Sequence, residues 1–307
     1  MEFIKTAEEK KRIRKGYIYI LTAALCFSAK AIIIKLAYAD YPDVDAMTLL
    51  AWRMIWSLPF FGITAFIASR DRIALPLTRK DIAAVVGLGV LGYYVSSWLD
   101  FAGLQYVSAG TERMVLFTYP TLVVLFTALI EKRAVTRPEI GALAFTYGGL
   151  ALVFLPQTGA EEADLVKGAS LVFSAAVTFA IFTVASVPVL ARVGAFRFTA
   201  YTMTAACCAT AIHYLVLQGM TPVNPPAGVI AYGATLALVS TIVPAFLVAM
   251  GLRALGANRA AIVNSFSPVA TLILAYFFLE ERLTFLQLGG ALLVIGGILI
   301  IGRGKTR

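Results

Sequence analysis

The chain has 307 residues, 60% of them hydrophobic and 14% charged, with a formal net charge of +9 and a mean hydropathy of +0.85. Soluble domains hold roughly 45 to 50% apolar and about 25% charged residues, so this composition excludes an ordinary soluble enzyme and calls for lipid to cover the surplus. The basic residues fall in short clusters between apolar runs and never form one long stripe, which excludes nucleic acid as a partner.

A hydrocarbon core of about 30 Å takes ~20 apolar residues as a helix, and the sequence holds ten such runs. In chain order they span approximately Tyr17 to Ala39, Met47 to Ala68, Ile82 to Phe101, Ala109 to Ile130, Glu139 to Leu155, Gly168 to Ala191, Phe198 to Leu217, Gly228 to Leu252, Asn258 to Leu279 and Phe285 to Gly302. The first follows six basic residues as a signal peptide does, but it is too long and carries Lys30 and Lys35, so it is expected to stay in the mature protein. Cys26, Cys207 and Cys208 all lie within runs, and an odd number with two adjacent members reads as small core residues rather than as a disulfide framework.

Lys and Arg collect beside the membrane on its cytoplasmic side. The amino-terminal segment carries Lys5, Lys10, Lys11, Arg12, Arg14 and Lys15. Alternate connections carry Arg70, Arg72, Arg79 and Lys80, then Lys132, Arg133 and Arg137, then Arg192 with Arg197 and Arg253 with Arg259, and the tail carries Arg303, Lys305 and Arg307. Those twenty face only Lys167 and Arg282 on the other connections, which predicts that both termini are cytoplasmic in a cell inner (plasma) membrane.

Sliding the chain by 148 residues aligns Gly103 to Val153 with Gly251 to Ile301, and nine of the fifty-one pairs are identical. They include Pro120 with Pro268 and the pair Gly148, Gly149 with Gly296, Gly297. The expected fold class is therefore an all-α integral membrane protein of ten transmembrane helices in two inverted five-helix repeats. The expected organisation is a basic segment over 1–16, a first repeat over 17–156, a second over 157–302 and a tail over 303–307. Five crossings per half make the second copy enter from the opposite side, and inverted halves are the architecture of secondary transporters.

The stretches "MVLFTYPTLVVLFTALIEKR" and "IVNSFSPVATLILAYFFLEERLTFLQLGGALLVIGGILII", together with the two repeats, resemble the EamA-type branch of the drug/metabolite transporter superfamily. The resemblance implies a ten-helix inner-membrane carrier, of a kind in which many members export amino acids and YddG-like ones move aromatic amino acids. It also implies a central cavity lined by the first, third, fourth, sixth, eighth and ninth spans.

Six charged side chains remain inside or at the outer edges of the spans: Lys30, Lys35, Arg53, Asp100, Glu112 and Arg113. Each costs about 2.5 to 3.5 kcal/mol at a helix centre on insertion scales, so they are expected to face the interior or an interface. One reading makes them structural ion pairs, with Asp100 beside Lys35 or Arg53. The other gives a substrate carboxylate to Arg113 or to Lys30, the deepest cation and one with no acid nearby in sequence. The orientation puts Asp100 and Glu112 toward the outer side and leaves no obvious mid-depth acid to relay protons.

Pro120 and Pro268 remove backbone N–H groups and free the carbonyls of Leu116 and Asn264, predicting bends that bracket a site with Tyr119, Asn264 and Ser267. Tyr94, Trp98 and Phe101 share one helical face, and with Phe182 of the sixth span they favour an aromatic or bulky apolar cargo if they line the cavity. The same stripe is equally consistent with packing or interfacial anchoring. Gly87 to Gly92 reads G-x-G-x-x-G but lies within a span and follows no strand, so these glycines are for packing. Gly141, Gly148, Gly289 and Gly296 form a small-residue face suited to helix packing or a dimer, leaving a monomer or a homodimer open. His213 reads as structural. No catalytic triad, metal-ligand cluster or nucleotide-binding lysine loop is present, so neither enzyme activity, a metal nor a cofactor is expected. The partners are a small-molecule substrate and the lipid bilayer, and the functional reading is amino-acid export by alternating access. A carrier of other metabolites or drug-like compounds, or a membrane enzyme or receptor, are the alternatives.

Overall fold

The computed structural model describes residues 7–70, 76–154, 160–217, 225–255, 263, 267–281 and 284–304, and those residues form helices and short connections with no strand. In chain order the helices are α1 (Ala7–Asp40), α2 (Ala46–Ser69), α3 (Arg79–Gly89), α4 (Ser96–Gly103), α5 (Ala109–Leu116), α6 (Tyr119–Ile130) and α7 (Arg137–Phe154). They continue with α8 (Ala160–Val193), α9 (Ala195–Leu217), α10 (Ala227–Ala237), α11 (Val243–Leu255), α12 (Ser267–Leu279) and α13 (Phe285–Gly304). Two π-helical segments, Val90–Val95 and Leu238–Ile242, join α3 to α4 and α10 to α11.

Side-chain caps set several starts. Asp45 accepts a hydrogen bond from the Thr48 amide at 2.7 Å, Thr78 and Asp81 form a reciprocal capping box at α3, and Ser108 accepts from the Thr111 amide at 3.1 Å. Each satisfies amides that the first helical turn leaves unpaired.

Seven helical stretches among the described residues are long and apolar enough to cross a bilayer: Lys11–Asp40, Ala46–Ser69, Arg79–Gly103, Ala109–Ile130, Asp164–Val193, Ala195–Leu217 and Ala227–Gly251. Ser267–Leu279 and Leu288–Gly297 are apolar but shorter. Seven of the ten runs of the sequence meet such stretches among the described residues; the other three correspond to α7, α12 and α13, of which α12 is described only from Ser267 and α13 runs 20 residues, Phe285–Gly304. Large apolar side chains stand on the outside, Leu129 at 74%, Phe277 at 72% and Phe285 at 95% exposure. Monomeric soluble proteins rarely expose patches on that scale, and hydrocarbon removes the cost.

Element boundaries recur at the 148-residue offset of the sequence. The starts of α3, the first π segment, α6 and α7 are Arg79, Val90, Tyr119 and Arg137; adding 148 gives Ala227, Leu238, Ser267 and Phe285, where α10, the second π segment, α12 and α13 begin. Packing recurs as well. Helix α1 lies on α11 and α12 as α8 lies on α4 and α6, α2 lies on α10 as α3 lies on α9, and α2 meets α9 and α7 meets α13.

Glycines admit the closest crossings. A Cβ on Gly103 would stand 2.5 Å from Val172 Cγ2 and 2.9 Å from the Gly168 carbonyl oxygen, and one on Gly89 would collide with the Thr202 carbonyl. The α7–α13 contact runs through Gly149 and Gly297, whereas Gly141, Gly148 and Gly289 face open space and Gly296 meets Phe145 at 3.5 Å. The predicted small-residue face is thus turned by about one residue, as only side chains at i±3 and i±4 share a helical stripe.

Candidate functional site

The fourth span does not merely bend at its proline. Helix α5 ends at Leu116, Phe117 and Thr118 leave the helix, and α6 starts afresh with Pro120 in its first turn, where the missing N–H costs nothing. The Thr118 hydroxyl donates to the Val115 carbonyl at 2.8 Å and Thr121 to the Thr118 carbonyl at 2.7 Å, so side chains satisfy part of the interrupted backbone. Pro268 likewise occupies the first turn of α12. Asn264 lies outside the described residues.

Four charges from three helices meet beside that break. Lys30 Nζ on α1 donates to Asp100 Oδ2 on α4 and stands 3.5 Å from Glu112 Oε1 on α5. Arg113 Nε lies 3.8 Å from Glu112 Oε2, and Arg113 Nη2 donates to the Phe27 carbonyl at 2.7 Å. Asp100, Glu112 and Arg113 are all buried, Glu112 completely. The same stretch of α1 carries Ser28, whose hydroxyl donates to the Ser267 carbonyl at 2.9 Å and lies 3.0 Å from Ser267 Oγ. Ser28 thus ties this stretch of α1 to the start of α12 in the other half of the chain.

This arrangement differs from the expected ion pairs. Asp100 is held by Lys30, not by Lys35 or Arg53: Lys35 Nζ donates to the Leu104 carbonyl at 3.2 Å, and Arg53 Nε to Thr241 Oγ1 at 2.9 Å. Lys30 has two acids for neighbours although none is near it in sequence. Asp100 and Glu112 are buried inside the bundle, as charges in a span are expected to be.

Two cations and two carboxylates leave the cluster formally neutral, yet hydrogen bonding within it is incomplete. Asp100 Oδ1 and both Glu112 oxygens are buried and have no hydrogen-bond partner among the described residues. Native interiors seldom leave such acceptors unmatched; the Glu112 oxygens face Lys30 and Arg113 only at 3.5 and 3.8 Å, and Arg113 Nε is likewise without a hydrogen-bond partner among the described residues.

The aromatic residues divide in two. Tyr119 packs edge-on against Phe179 at 5.2 Å between centroids, Phe179 meets Phe182 at 5.6 Å, and Phe182 meets Tyr93 at 5.0 Å and Phe198 at 6.2 Å. Tyr119 and Phe182 are therefore in one wall, and Tyr119 comes directly after the helix break. Tyr94 and Trp98 stand elsewhere, on α9: Tyr94 Oη and His213 Nδ1 are 2.5 Å apart, and the Trp98 ring lies 6.1 Å from the His213 ring. Phe101 leaves that face for the core. The π segment over 90–95 puts an extra residue into the turn that carries Tyr93 and Tyr94 and so rotates α4 relative to α3. Tyr93 and Phe198 are wall members that the three-and-four spacing did not select; no sequence signal announces a π segment.

The family model described as "EamA-like transporter family" matches residues 14–155 and again 166–303. The chain is 32% identical to the uncharacterized transporter YcbK of Bacillus subtilis (strain 168) over 305 residues, covering 95% of this chain and 96% of the relative. It is 25% identical over 318 residues to the uncharacterized transporter sll1319 of Synechocystis sp., covering 95% and 94%. A protein crystal structure shares the fold with a TM-score of 0.62 at 18% identity, over 95% of this chain and 98% of that one. These similarities point to a transporter rather than an enzyme. With its apolar helices and two family matches spanning nearly its whole length, the chain is a multi-pass membrane protein that belongs to the EamA-like transporter family.

Proposed function

We propose that this transporter exports amino acids, those with aromatic or apolar side chains first, as a secondary-active or facilitative carrier. The observation that carries the reading is the buried cluster of Lys30, Asp100, Glu112 and Arg113 with its three unpaired carboxylate oxygens. A zwitterion adds no net charge to a neutral cluster. Its ammonium supplies N–H donors to Asp100 and Glu112, while Lys30 and Arg113 balance the charge of those acids. Tyr119 and Phe182 form an apolar wall for the side chain, with Ser267 and Asn264 completing the site. Tyr94 and Trp98, packed on His213, form a separate aromatic group that Trp98→Ala tests.

The movement is alternating access between two inverted halves, residues 17–156 and 157–302, with Pro120 and Pro268 at the hinges. The recurrence of element bounds at 148 residues and the exchange-symmetric packing support it, since swapping the conformations of two similar halves opens one shared site to alternate sides. The charge asymmetry of the connections supports cytoplasmic termini in the inner membrane. A second reading, a drug-like amine lacking a carboxylate, is favoured by the same acidic oxygens.

The test is transport of a panel of radiolabelled amino acids by the purified protein in liposomes, repeated with Lys30→Ala and Trp98→Ala. Saturable phenylalanine or tryptophan movement, reduced at least tenfold by Lys30→Ala, is the expected result. If correctly folded protein moves no amino acid, the reading fails; if both variants match the parent, the site is elsewhere.

A further inference from the structure

Arg53 is the unusual charge in this bundle. It is 8% exposed, yet no carboxylate among the described residues lies within 4.0 Å of it, in contrast with Lys30 and Arg113. A buried charge is normally paired or coordinated, so a guanidinium without an acid needs another account.

Its surroundings fix it in place without neutralising it. Nε donates to Thr241 Oγ1 at 2.9 Å. The Thr241 hydroxyl lies 3.5 Å from the Leu236 carbonyl oxygen, five residues back, a geometry that belongs to the π segment. With its proton turned toward that carbonyl, the hydroxyl presents a lone pair to Arg53. Below the guanidinium lies the fully buried Phe101 ring, 5.5 Å from Cζ to the centroid. A cation over an aromatic face is attracted but not neutralised. Neither terminal nitrogen has a hydrogen-bond partner among the described residues, and neither is sealed from the accessible surface. What remains free is the planar fork that matches a carboxylate through two parallel N–H···O bonds.

We propose that Arg53, held by Thr241 and Phe101, receives the carboxylate of the transported substrate. The proposal rests on the amino-acid reading and completes it. Asp100 is adjacent in sequence to Phe101, whose ring lies beneath Arg53, and the substrate's ammonium then rests on the acids and its carboxylate on the fork. Tyr93 packs against both the core that contains Phe101 and the cluster that contains Phe182, which leads from the charged end to the aromatic wall. Arg53 comes from α2 and Thr241 from the second π segment, so carboxylate binding ties the two halves together. Arg53 thus becomes the residue that distinguishes an amino acid from the corresponding amine.

The experiment uses the full chain in liposomes, with L-phenylalanine, L-phenylalaninamide and 3-phenylpropionate as probes, on the parent, Arg53→Gln, Arg53→Lys and Thr241→Val. The parent is expected to favour phenylalanine over its amide. Arg53→Gln is expected to weaken phenylalanine about tenfold to hundredfold, the value of one or two charge-assisted hydrogen bonds, and to leave the amide within about twofold. Arg53→Lys, which keeps the charge but not the fork, falls between, and Thr241→Val weakens phenylalanine about threefold to tenfold. Retained amide transport shows that the variants are folded; where Arg53→Gln fails to fold, Arg53→Lys carries the comparison. Equal treatment of acid and amide by the parent, or an Arg53 series that weakens both alike, overturns the proposal. If phenylalanine does not move but 3-phenylpropionate does and depends on Arg53, the carboxylate receptor stands and the amino-acid reading falls. If no carboxylate moves, both fall.

Discussion

Lys132 and Glu280 stand 148 residues apart and share a left-handed backbone, with φ of 50° and 54°, the two non-glycine residues at positive φ among those described. Each follows the helix that opens with a Pro-containing turn, α6 in one half and α12 in the other. A left-handed residue ends a helix by turning the chain back on its last carbonyls, and the Arg133 amide donates to the Ala128 carbonyl at 3.0 Å, the Glu281 amide to the Ala275 carbonyl at 3.3 Å. An L side chain in that region costs roughly 1 to 2 kcal/mol.

Glycine relieves that cost but widens the unfolded ensemble. Lys132→Gly and Glu280→Gly are therefore each expected to stabilise the protein by about 0.5 to 1 kcal/mol, and Lys132→Val to destabilise it by about 1 kcal/mol or more. Unfolding titrations in mixed micelles measure both; a stabilising valine contradicts the assignment.

Gly87 and Gly89 are two residues apart and predict opposite outcomes. Nothing lies within 4 Å of a Cβ on Gly87, whereas one on Gly89 strikes backbone of α9 at Thr202. Gly87→Ala is expected to gain up to about 1 kcal/mol from helix propensity. Gly89→Ala forces α3 from α9 and is expected to lose about 1 to 3 kcal/mol through overpacking. Equal effects in a thermal-stability assay run counter to a close crossing of α3 and α9 at Gly89.

The pair between Lys30 and Asp100 is expected to behave as a coupled unit. Lys30→Met leaves two carboxylates buried beside one remaining cation and is expected to cost about 3 to 5 kcal/mol. Adding Asp100→Asn removes one of those charges and is expected to restore at least about half of the loss, a coupling of roughly 1.5 kcal/mol or more. Additive single effects in the cycle are evidence against a shared buried cluster.

Glu281 accepts hydrogen bonds from the Ala109 amide at 2.8 Å and the Gly110 amide at 3.2 Å. A carboxylate beyond the end of α12 thereby caps α5, in the other half of the chain. Glu281→Ala is expected to cost about 1 to 2 kcal/mol, the upper range for an N-terminal cap because its charge meets the positive end of the helix. Glu281→Gln retains an acceptor and is expected to lose about half as much. Equal losses in the two variants, measured by unfolding in micelles, contradict the role of the charge.

Hydrophobic run length and the 148-residue register carried most of the fold into view: α2 and α9 lie within three residues of their expected limits, and Pro120 and Pro268 fall where the second parts of their spans begin. The site was legible in part. Lys30, Arg113, Asp100 and Glu112 stand out as charges in oil, but which acid meets which cation depends on helix rotation, which no local spacing encodes. Arg53 passed as an ion-pair partner for the same reason. The two π segments hide best, since one added residue in a helical turn leaves hydropathy unchanged and rotates the helix that follows.

Val107 and Leu255 occupy matching positions 148 residues apart, Val107 against Gly168 and Leu255 against Ile20 and Gly16. Both are buried, at 3% and 8% exposure. Single cysteines at these positions, in a background where Cys26, Cys207 and Cys208 are replaced by alanine, probe matching helix crossings in the two halves. The decisive measurement is the thiol-labelling rate of Val107→Cys and Leu255→Cys in liposomes, with and without saturating substrate. Alternating access predicts reciprocal change, one rate rising as the other falls; rates that rise and fall together, or that ignore a substrate the protein is shown to carry, contradict it.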